Sequence, residues 1–177
     1  DVQTFKKRKA FFEGKAIKFH KYSDKRTSPK CEHFGVCGGC KWQDMDYQFQ
    51  LQYKQNEVVN NLKRIGHVDL PEITPILGCS DQYFYRNKME FSFSDSRWLT
   101  QEEIESDEDL GDRNALGIHI PGMWDKILDI NKCWLQRNPS NEIRNEIKRF
   151  AVENELEFFN TRNQTGLLRT LMIRTSS

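Results

Sequence analysis

Alternation of apolar and polar residues marks the strands of this chain. Met89, Phe91 and Phe93 alternate with polar residues, a period of two that predicts a half-buried strand over 89–94. Shorter apolar runs predict four further strands at 115–120, 127–130, 157–161 and 167–174. Residues 5–21 predict the last strand or strands of a small β module. We expect its core to contain three aromatic residues, Phe11, Phe12 and Phe19.

Two other stretches repeat their apolar residues at helical spacing. The first begins after Asp44 or Asp46, either of which can cap it, and ends at Gly66. Its apolar face holds Leu51, Val58, Leu62 and Ile65. The second is predicted over 140–154, with Ser140 as its cap and an inward face of Ile143, Ile147, Phe150 and Ala151. Helices and hairpin-connected strands together predict an α/β (α+β) chain with a mainly antiparallel sheet.

Charge is unevenly distributed along the 177 residues, although the formal net charge is only +1. Residues 1–30 contain ten Lys or Arg and three acidic residues, which favours a nucleic-acid partner. Residues 95–114 are acidic and poor in apolar residues, which predicts an inserted, mobile surface loop. The 12% of aromatic residues exclude a disordered chain. No apolar run is long enough for a membrane span, and no secretory signal opens the chain.

Five cysteines carry the chemistry that the sequence suggests. Cys31, Cys37 and Cys40 form a C-x5-C-x2-C group whose glycines allow a tight loop. Cys133, after the strand at 127–130, can complete a set of four sulfurs. The odd number of cysteines and the lack of a secretory signal disfavour a disulfide framework. Cys79 stands apart, and we interpret it as a plain thiol that is buried or half-exposed.

The spacing of the cysteines leaves two inorganic groups open. Structural zinc sites usually contain two short-spaced pairs of ligands, whereas a grouping of three and one favours a 4Fe–4S cluster. Four apolar residues could shield such a cluster: Phe34, Val36, Trp42 and Trp134. A zinc site would have His33 as a spare ligand, but we interpret His33 and His119 as structural.

Longer segments resemble a known family. Residues 31–43, with the sequence CEHFGVCGGCKWQ, and residues 85–93, with the sequence YRNKMEFSF, resemble motifs of the RNA uracil-C5 methyltransferase family. The similarity is to the branch that has a TRAM domain and a 4Fe–4S cluster and acts on 23S ribosomal RNA. It resumes at 116–117, 129–130, 168–169 and 171–174, so it covers nearly the whole chain apart from 95–114.

The resemblance implies that the chain is part of a longer enzyme. Residues 1–30 would be the end of a TRAM β-barrel, and residues 31–42 and 78–177 a central iron–sulfur domain truncated at its end. Residues 43–77 would be a helix and linker that pack on a missing methyltransferase domain. In the family that missing domain binds S-adenosylmethionine (AdoMet) and carries the nucleophilic cysteine and the general base. No residue of this chain is therefore expected to be catalytic.

The resemblance also implies site residues and partners. The cluster ligands would be Cys31, Cys37, Cys40 and Cys133. The expected RNA contacts, which lie among or beside aromatic residues, are Lys15, Lys18, Lys21, Arg26, Arg86 and Lys88. We expect a monomeric, cytoplasmic protein with no membrane partner. Two alternatives stay open, a zinc-stabilised RNA-binding module without its own catalysis and a ferredoxin-like electron-transfer domain.

Overall fold

The computed structural model describes residues 1–106 and 110–176, which contain six strands and three helices. The strands are β1 (Val2–Lys7), β2 (Phe12–Ala16), β3 (Lys88–Ser94), β4 (Ala115–His119), β5 (Ile127–Asp129) and β6 (Thr170–Arg174). The helices are α1 (Tyr47–Arg64), α2 (Gln101–Glu105) and α3 (Ser140–Glu153). The predicted combination of helices with antiparallel strands is confirmed.

A four-stranded antiparallel sheet in the order β5-β4-β3-β6 forms the centre of the fold. Its strand β3 buries Met89, Phe91 and Phe93, as the alternation predicts. The strands predicted at 115–120 and 127–130 are confirmed as β4 and β5. The same core contains Leu116 of β4 and Ala151 of α3. Since full burial of a large apolar side chain stabilises a fold by about 1.5–3 kcal/mol, this core holds α3 against the sheet.

The helix α1 begins and ends where the sequence predicts. Asp46 is its N-cap, and its Oδ1 accepts a hydrogen bond of 2.9 Å from the N–H of Gln48. The helix contains no buried residue, and Val58 and Leu62 on its apolar face are exposed. It is therefore a surface helix. No helix among the described residues is both long and apolar enough to cross a membrane.

The strands β1 and β2 form a separate two-stranded hairpin. Strands within 5–21 are therefore confirmed, but the expected aromatic core is wrong for the described residues. Phe11, Phe12 and Phe19 are 60%, 63% and 54% exposed. A two-stranded sheet has no second layer to cover its faces, so large side chains on it stay in contact with solvent.

The helix α3 buries polar side chains in place of two of the four predicted apolar ones, while Ile147 and Ala151 face the core as predicted. Its buried residues are Ser140, Asn141, Arg144 and Ala151. Ile143 and Phe150, which were expected to point inward, are exposed. Ser140 does not cap the helix, because its hydroxyl donates to the side-chain oxygen of Gln136. The polar face covers the irregular segment after β5, whose backbone groups need hydrogen-bond partners.

Residues 95–114 contain a short helix where the sequence predicts only a loop. Thr100 and Glu103 form a capping box, since the Glu103 N–H donates to Thr100 Oγ1 at 3.2 Å and the Thr100 N–H donates to Glu103 Oε2 at 2.8 Å. Arg97 adds an ion pair with Glu103 at 2.8 Å. Residues 107–109, which belong to the acidic segment predicted to be a loop, lie outside the described residues.

Residues 157–161 do not form the predicted strand. Isolated bridges join Phe158 to Leu168 and Asn160 to Thr165, and β6 begins only at Thr170. Gly166 has a φ of 119°, a left-handed backbone that coils this turn and interrupts regular pairing.

Candidate functional site

Four cysteines line one cavity, which we call the four-cysteine cavity. Cys31, Cys37 and Cys40 come from the loop 31–40, and Cys133 comes from the segment after β5. All four are free thiols that are only partly exposed. The cavity has a free volume of about 20 Å³, which is room for about one water molecule. The structure thus brings together sulfurs that are far apart in sequence.

The loop 31–40 reaches the sheet through a glycine. The Gly38 N–H donates to the carbonyl oxygen of His119 at 3.1 Å. A Cβ atom on Gly38 would lie only 2.4 Å from that oxygen, so a larger residue would push the loop away from β4. The loop is closed internally by the Cys37 N–H, which donates to the His33 carbonyl oxygen at 2.9 Å. Together these bonds fix the loop at the end of β4.

Backbone N–H groups interact with the sulfurs of this loop. The Gly39 N–H donates to Cys37 Sγ at 3.3 Å. A backbone hydrogen bond from His33 lowers the pKa of Cys31. Such bonds stabilise a thiolate relative to a thiol, and around inorganic sulfur centres they also tune the reduction potential.

Burial has the larger effect on the thiols. It raises the pKa of Cys31, Cys37 and Cys133, and a negative charge on a neighbouring cysteine raises each pKa further. Without a positive group in the cavity these three thiols are therefore protonated at neutral pH. Binding of a metal-containing group by the thiolates would release those protons.

The segment that carries Cys133 is held by side chains on two sides. Asn141 of α3 accepts from the Cys133 N–H at 2.7 Å and donates to the Cys133 carbonyl oxygen at 3.0 Å. From the other side, His33 Nε2 accepts a hydrogen bond of 3.2 Å from the Asn131 N–H. His33, which we expect to be structural, therefore connects the loop 31–40 to the Cys133 segment. The sequence analysis did not identify Asn141.

Apolar and aromatic side chains close the cavity. Phe34 and Trp134 line it, as does Ile118 of β4. Val36 and Trp42 were expected to shield the site as well, but they do not line it and are exposed. The left-handed backbone of Gly35 (φ 90°) reverses the chain and leaves Val36 on the solvent side.

Two lysines beside the cavity were also missed. Lys30 Nζ and Lys132 Nζ lie 4.0 and 4.1 Å from the ring centroid of Trp134, within the range of a cation–π interaction. Lys30 directly precedes Cys31 in the sequence, and Lys132 directly precedes Cys133. This repeated Lys-Cys pair is the sequence signal from which the two lysines could have been placed beside the cavity. Their charges favour a negatively charged group in the cavity.

Cys79 lies outside this group. The expectation that Cys79 is buried or half-exposed is wrong, because its side chain is exposed. Its N–H donates to the Tyr47 hydroxyl at 2.8 Å. In the part of the chain that the structure describes, no three His, Cys, Asp or Glu side chains are grouped closely enough to hold one metal ion. This absence applies to a site for a single ion. In a zinc site, zinc–sulfur distances of about 2.3 Å hold four sulfurs close together. A cluster of several metal atoms holds its ligands farther apart.

The expected RNA contacts are all exposed: Lys15, Lys18, Lys21, Arg26, Arg86 and Lys88. The first four belong to β2 or to the segment that follows it, and the last two lie at or just before β3. Arg26 forms an ion pair with Asp44 at 2.8 Å, and Lys88 forms one with Glu90 at 3.0 Å. The structure therefore places these cations in two groups on different elements.

Comparison with known sequences identifies relatives over the whole chain, although no protein-family model matches it. An uncharacterized RNA methyltransferase of Bacteroides thetaiotaomicron is 52% identical over 177 residues. Uncharacterized RNA methyltransferases of Porphyromonas gingivalis and Chlorobaculum tepidum are 47% and 40% identical. These matches cover 100%, 99% and 99% of this chain, but only 39%, 39% and 36% of the relatives. The chain thus spans about two fifths of the length of the curated relatives that it matches.

A solved structure has a similar fold. The Pyrococcus abyssi tRNA (uracil-54, C5)-methyltransferase, in complex with S-adenosyl-L-homocysteine, matches 99% of this chain with a TM-score of 0.58 and 23% identity. The match covers 34% of that protein. At this identity the likeness establishes the fold alone. Over its whole length, the chain is therefore similar to one part of proteins named RNA methyltransferases, and it has the fold of one part of a tRNA methyltransferase.

Proposed function

We propose that this chain is the RNA-binding and cluster-bearing part of an AdoMet-dependent RNA (uracil-C5) methyltransferase. The observation that carries the proposal is the 52% identity over the entire chain to a protein named as an RNA methyltransferase. The chemistry on uracil C5 and the use of AdoMet are supported by the structural neighbour, whose name gives that reaction and which binds S-adenosyl-L-homocysteine. The motifs at 31–43 and 85–93 support the same family.

We assign a separate role in the proposed enzyme to each segment of the chain. Residues 1–30 form the end of a TRAM-like β module, and residues 31–42 with 78–177 form the central domain. Residues 43–77 supply the helix that packs on the methyltransferase domain. The exposure of Val58 and Leu62 on the apolar face of α1 supports this assignment, because exposed apolar side chains are suited to packing against another domain. This part of the enzyme binds and positions RNA, and the catalytic cysteine, the general base and AdoMet belong to the methyltransferase domain.

We propose that Cys31, Cys37, Cys40 and Cys133 hold a 4Fe–4S cluster. The donor chemistry fits, because four free thiols line one mostly apolar cavity with two lysines beside it. The free volume of about 20 Å³ is small, so the walls must move apart to admit the cluster. When bound, the cluster supplies four metal–sulfur bonds that cross-link the loop 31–40 to the end of β5. The basic residues then have a fixed surface on which to bind RNA phosphates.

The test uses the intact protein, purified without oxygen. We expect iron and sulfide in the preparation and methyl transfer from labelled AdoMet to a uridine of 23S ribosomal RNA. Transfer to tRNA instead would retain the enzyme class and correct the substrate, which is the outcome suggested by the name of the structural neighbour. Stoichiometric zinc without methyl transfer would favour the alternative, a zinc-stabilised RNA-binding module. Reversible electron exchange with a redox partner, again without methyl transfer, would favour the ferredoxin-like alternative.

A further inference from the structure

A buried positive charge lies next to the four-cysteine cavity. Arg144 of α3 is only 1% exposed, and its guanidinium lies 5.0 Å from the ring of Phe91 in the core. Among the described residues, no carboxylate forms an ion pair with it. Asp129, whose charge acts on Arg144, is already paired with Lys148 at 2.6 Å. Arg144 is therefore a buried cation without an acidic partner.

The hydrogen bonds of Arg144 lead to the segment that carries Cys133. Its Nη2 donates to the Asn131 carbonyl oxygen at 2.7 Å and to Asn145 Oδ1 at 3.0 Å. Its Nη1 donates at 3.0 Å to Asn141 Oδ1, the same atom that accepts from the Cys133 N–H. The guanidinium thus braces this segment directly at Asn131 and indirectly, through Asn141, at Cys133.

One part of the guanidinium remains unsatisfied. Arg144 Nε is buried and has no hydrogen-bond partner among the described residues. A buried charge normally requires a charge of opposite sign, because leaving water without one costs several kcal/mol. Guanidinium groups keep their proton in proteins, so Arg144 does not escape this cost by becoming neutral.

The four-cysteine cavity is the place where a charge of opposite sign could lie, because Cys133 lines it and belongs to the segment that Arg144 braces. Four thiolates bound to a cluster would leave a net negative charge in the cavity beside α3. That negative charge would compensate the buried positive charge of the Arg144 guanidinium.

We propose that Arg144 is the internal counter-ion and positioning residue of the four-cysteine centre. The proposal rests on the cluster proposed above. Because each added electron makes such a centre more negative, a fixed cation nearby favours the reduced state and raises the reduction potential. Arg144 also holds the Cys133 segment in the position from which its sulfur reaches the cavity.

The test separates charge from hydrogen bonding in the intact, anaerobically purified protein. Arg144→Gln keeps a side-chain donor and removes the charge, and Arg144→Lys keeps the charge. We expect Arg144→Gln to lower the equilibrium constant for reduction of the cluster about tenfold, which is 59 mV for one electron. We expect Arg144→Lys to stay within about threefold of the wild type. The readouts are the midpoint potential in an anaerobic redox titration and the half-life of iron release to a chelator.

The matched control is Arg149→Gln on the same helix. The Arg149 side chain is 56% exposed and pairs with Glu146 and Glu153, so its replacement leaves the potential unchanged. Wild-type potential and iron retention in Arg144→Gln would overturn the inference while leaving the cluster in place. Equal potential shifts in Arg144→Gln and Arg144→Lys would overturn the role of the charge.

The iron content and the melting temperature of the variants also test the inference. Loss of iron from Arg144→Gln, with a melting temperature close to that of the apo wild type, supports the positioning role if Arg144→Lys retains iron. If both variants unfold far below the apo wild type, Arg144 is an ordinary core residue and the inference is overturned. If the wild-type protein contains no iron, that measurement by itself refutes the proposed cluster. The inference about Arg144 is then overturned as well.

Discussion

At the scale of single residues, the sulfur atoms of the cavity depend on side chains that carry no sulfur. His33 links the loop 31–40 to Asn131, and Asn141 binds both backbone groups of Cys133. A buried amide that is removed leaves its partners unsatisfied, at a cost of about 1–3 kcal/mol. The geometry of the site is therefore distributed over two segments and the first turns of α3.

The first prediction concerns the cysteines. Replacing Cys37 or Cys133 by Ser removes one of the four proposed cluster ligands, so we expect both variants to lose most of their iron when purified without oxygen. Losing a metal centre also destabilises the fold, and we expect the free energy of unfolding to fall by about 4 kcal/mol. Iron analysis and urea unfolding of the intact protein measure the two effects. Cys79→Ser is the control, because Cys79 is exposed and outside the cavity. Unchanged iron in Cys133→Ser would contradict the ligand assignment.

The sequence predicts part of this site and not the rest, for a physical reason. Cys31, Cys37 and Cys40 can be grouped from their close spacing, and Cys133 could be added to them because it follows a predicted strand and because of the family resemblance. Asn141 and Arg144 cannot be found in the same way. A helix with Ile143 and Phe150 is expected to bury both of them, and only the folded segment after β5 shows why Asn141 and Arg144 are buried while these two are exposed.

At the scale of elements, a capping box explains why a helix forms in the acidic segment. The side chains of Thr100 and Glu103 bind the N–H groups at the start of α2, and Arg97 holds the Glu103 carboxylate. The sequence T-x-x-E at 100–103 was a signal for this helix that the overall acidity of 95–114 obscured. By contrast, β3 could be predicted, because the alternation of its apolar and polar residues has a period of two, which fits a strand and not a helix.

The second prediction follows from the charge on Glu103. The hydrogen bond from Arg97 lowers the pKa of Glu103 from 4.5 to about 2. A lowered carboxyl pKa means that the pair stabilises the fold fully above pH 4.5 and loses this effect as the pH falls through about 2. The side chain is partly exposed, so we expect a contribution below about 1 kcal/mol. Carboxyl NMR of Glu103 should give a midpoint near 2, and Arg97→Met should raise it; an ordinary midpoint in the wild type would exclude the pair.

The third prediction concerns the close approach of β4 and β5. A Cβ atom on Gly117 would lie 1.8 Å from the Leu128 carbonyl oxygen, a contact with backbone that cannot rotate away. We expect Gly117→Ala to separate the two strands and to destabilise the protein by about 3 kcal/mol or more in urea unfolding. Gly122→Ala is the control, since Gly122 has a φ of 77° but open space around it. Its cost should be only the backbone strain of about 1–2 kcal/mol. Equal costs in the two variants would argue against the steric explanation.

At the scale of the whole molecule, the accessible surface is large for the mass. It amounts to 13320 Å² for 21.0 kDa, whereas a compact monomer of this mass exposes about 9000 Å². The hairpin β1–β2 and the helix α1 contribute, because both leave apolar side chains in solvent. The charge imbalance of residues 1–30 could be read from the sequence, but the exposure of Phe11 and Phe12 could not, since burial depends on which layers pack together.

The fourth prediction tests the basic surface of the hairpin region. Reversing the charge of Lys15, Lys18 and Lys21 to Glu should weaken RNA binding and reduce the slope of log affinity against log salt by about 2–3, because the three proposed phosphate contacts would be lost. Fluorescence anisotropy between low and moderate salt measures the slope. The control reverses the same number of charges on α1, at Lys54, Lys63 and Arg64. Equal losses in both triple variants would assign the effect to net charge rather than to this surface.

The long sequence separation between Cys40 and Cys133 has a consequence for biosynthesis. Ribosomes add about 5–20 residues per second, so the fourth thiol follows the first three by roughly 5–20 s. During that interval the nascent chain carries three closely spaced thiols, and the segment after β5 that would close over them has not yet been made. Any metal-containing group that requires all four thiols could therefore be inserted only after Cys133 has left the ribosome.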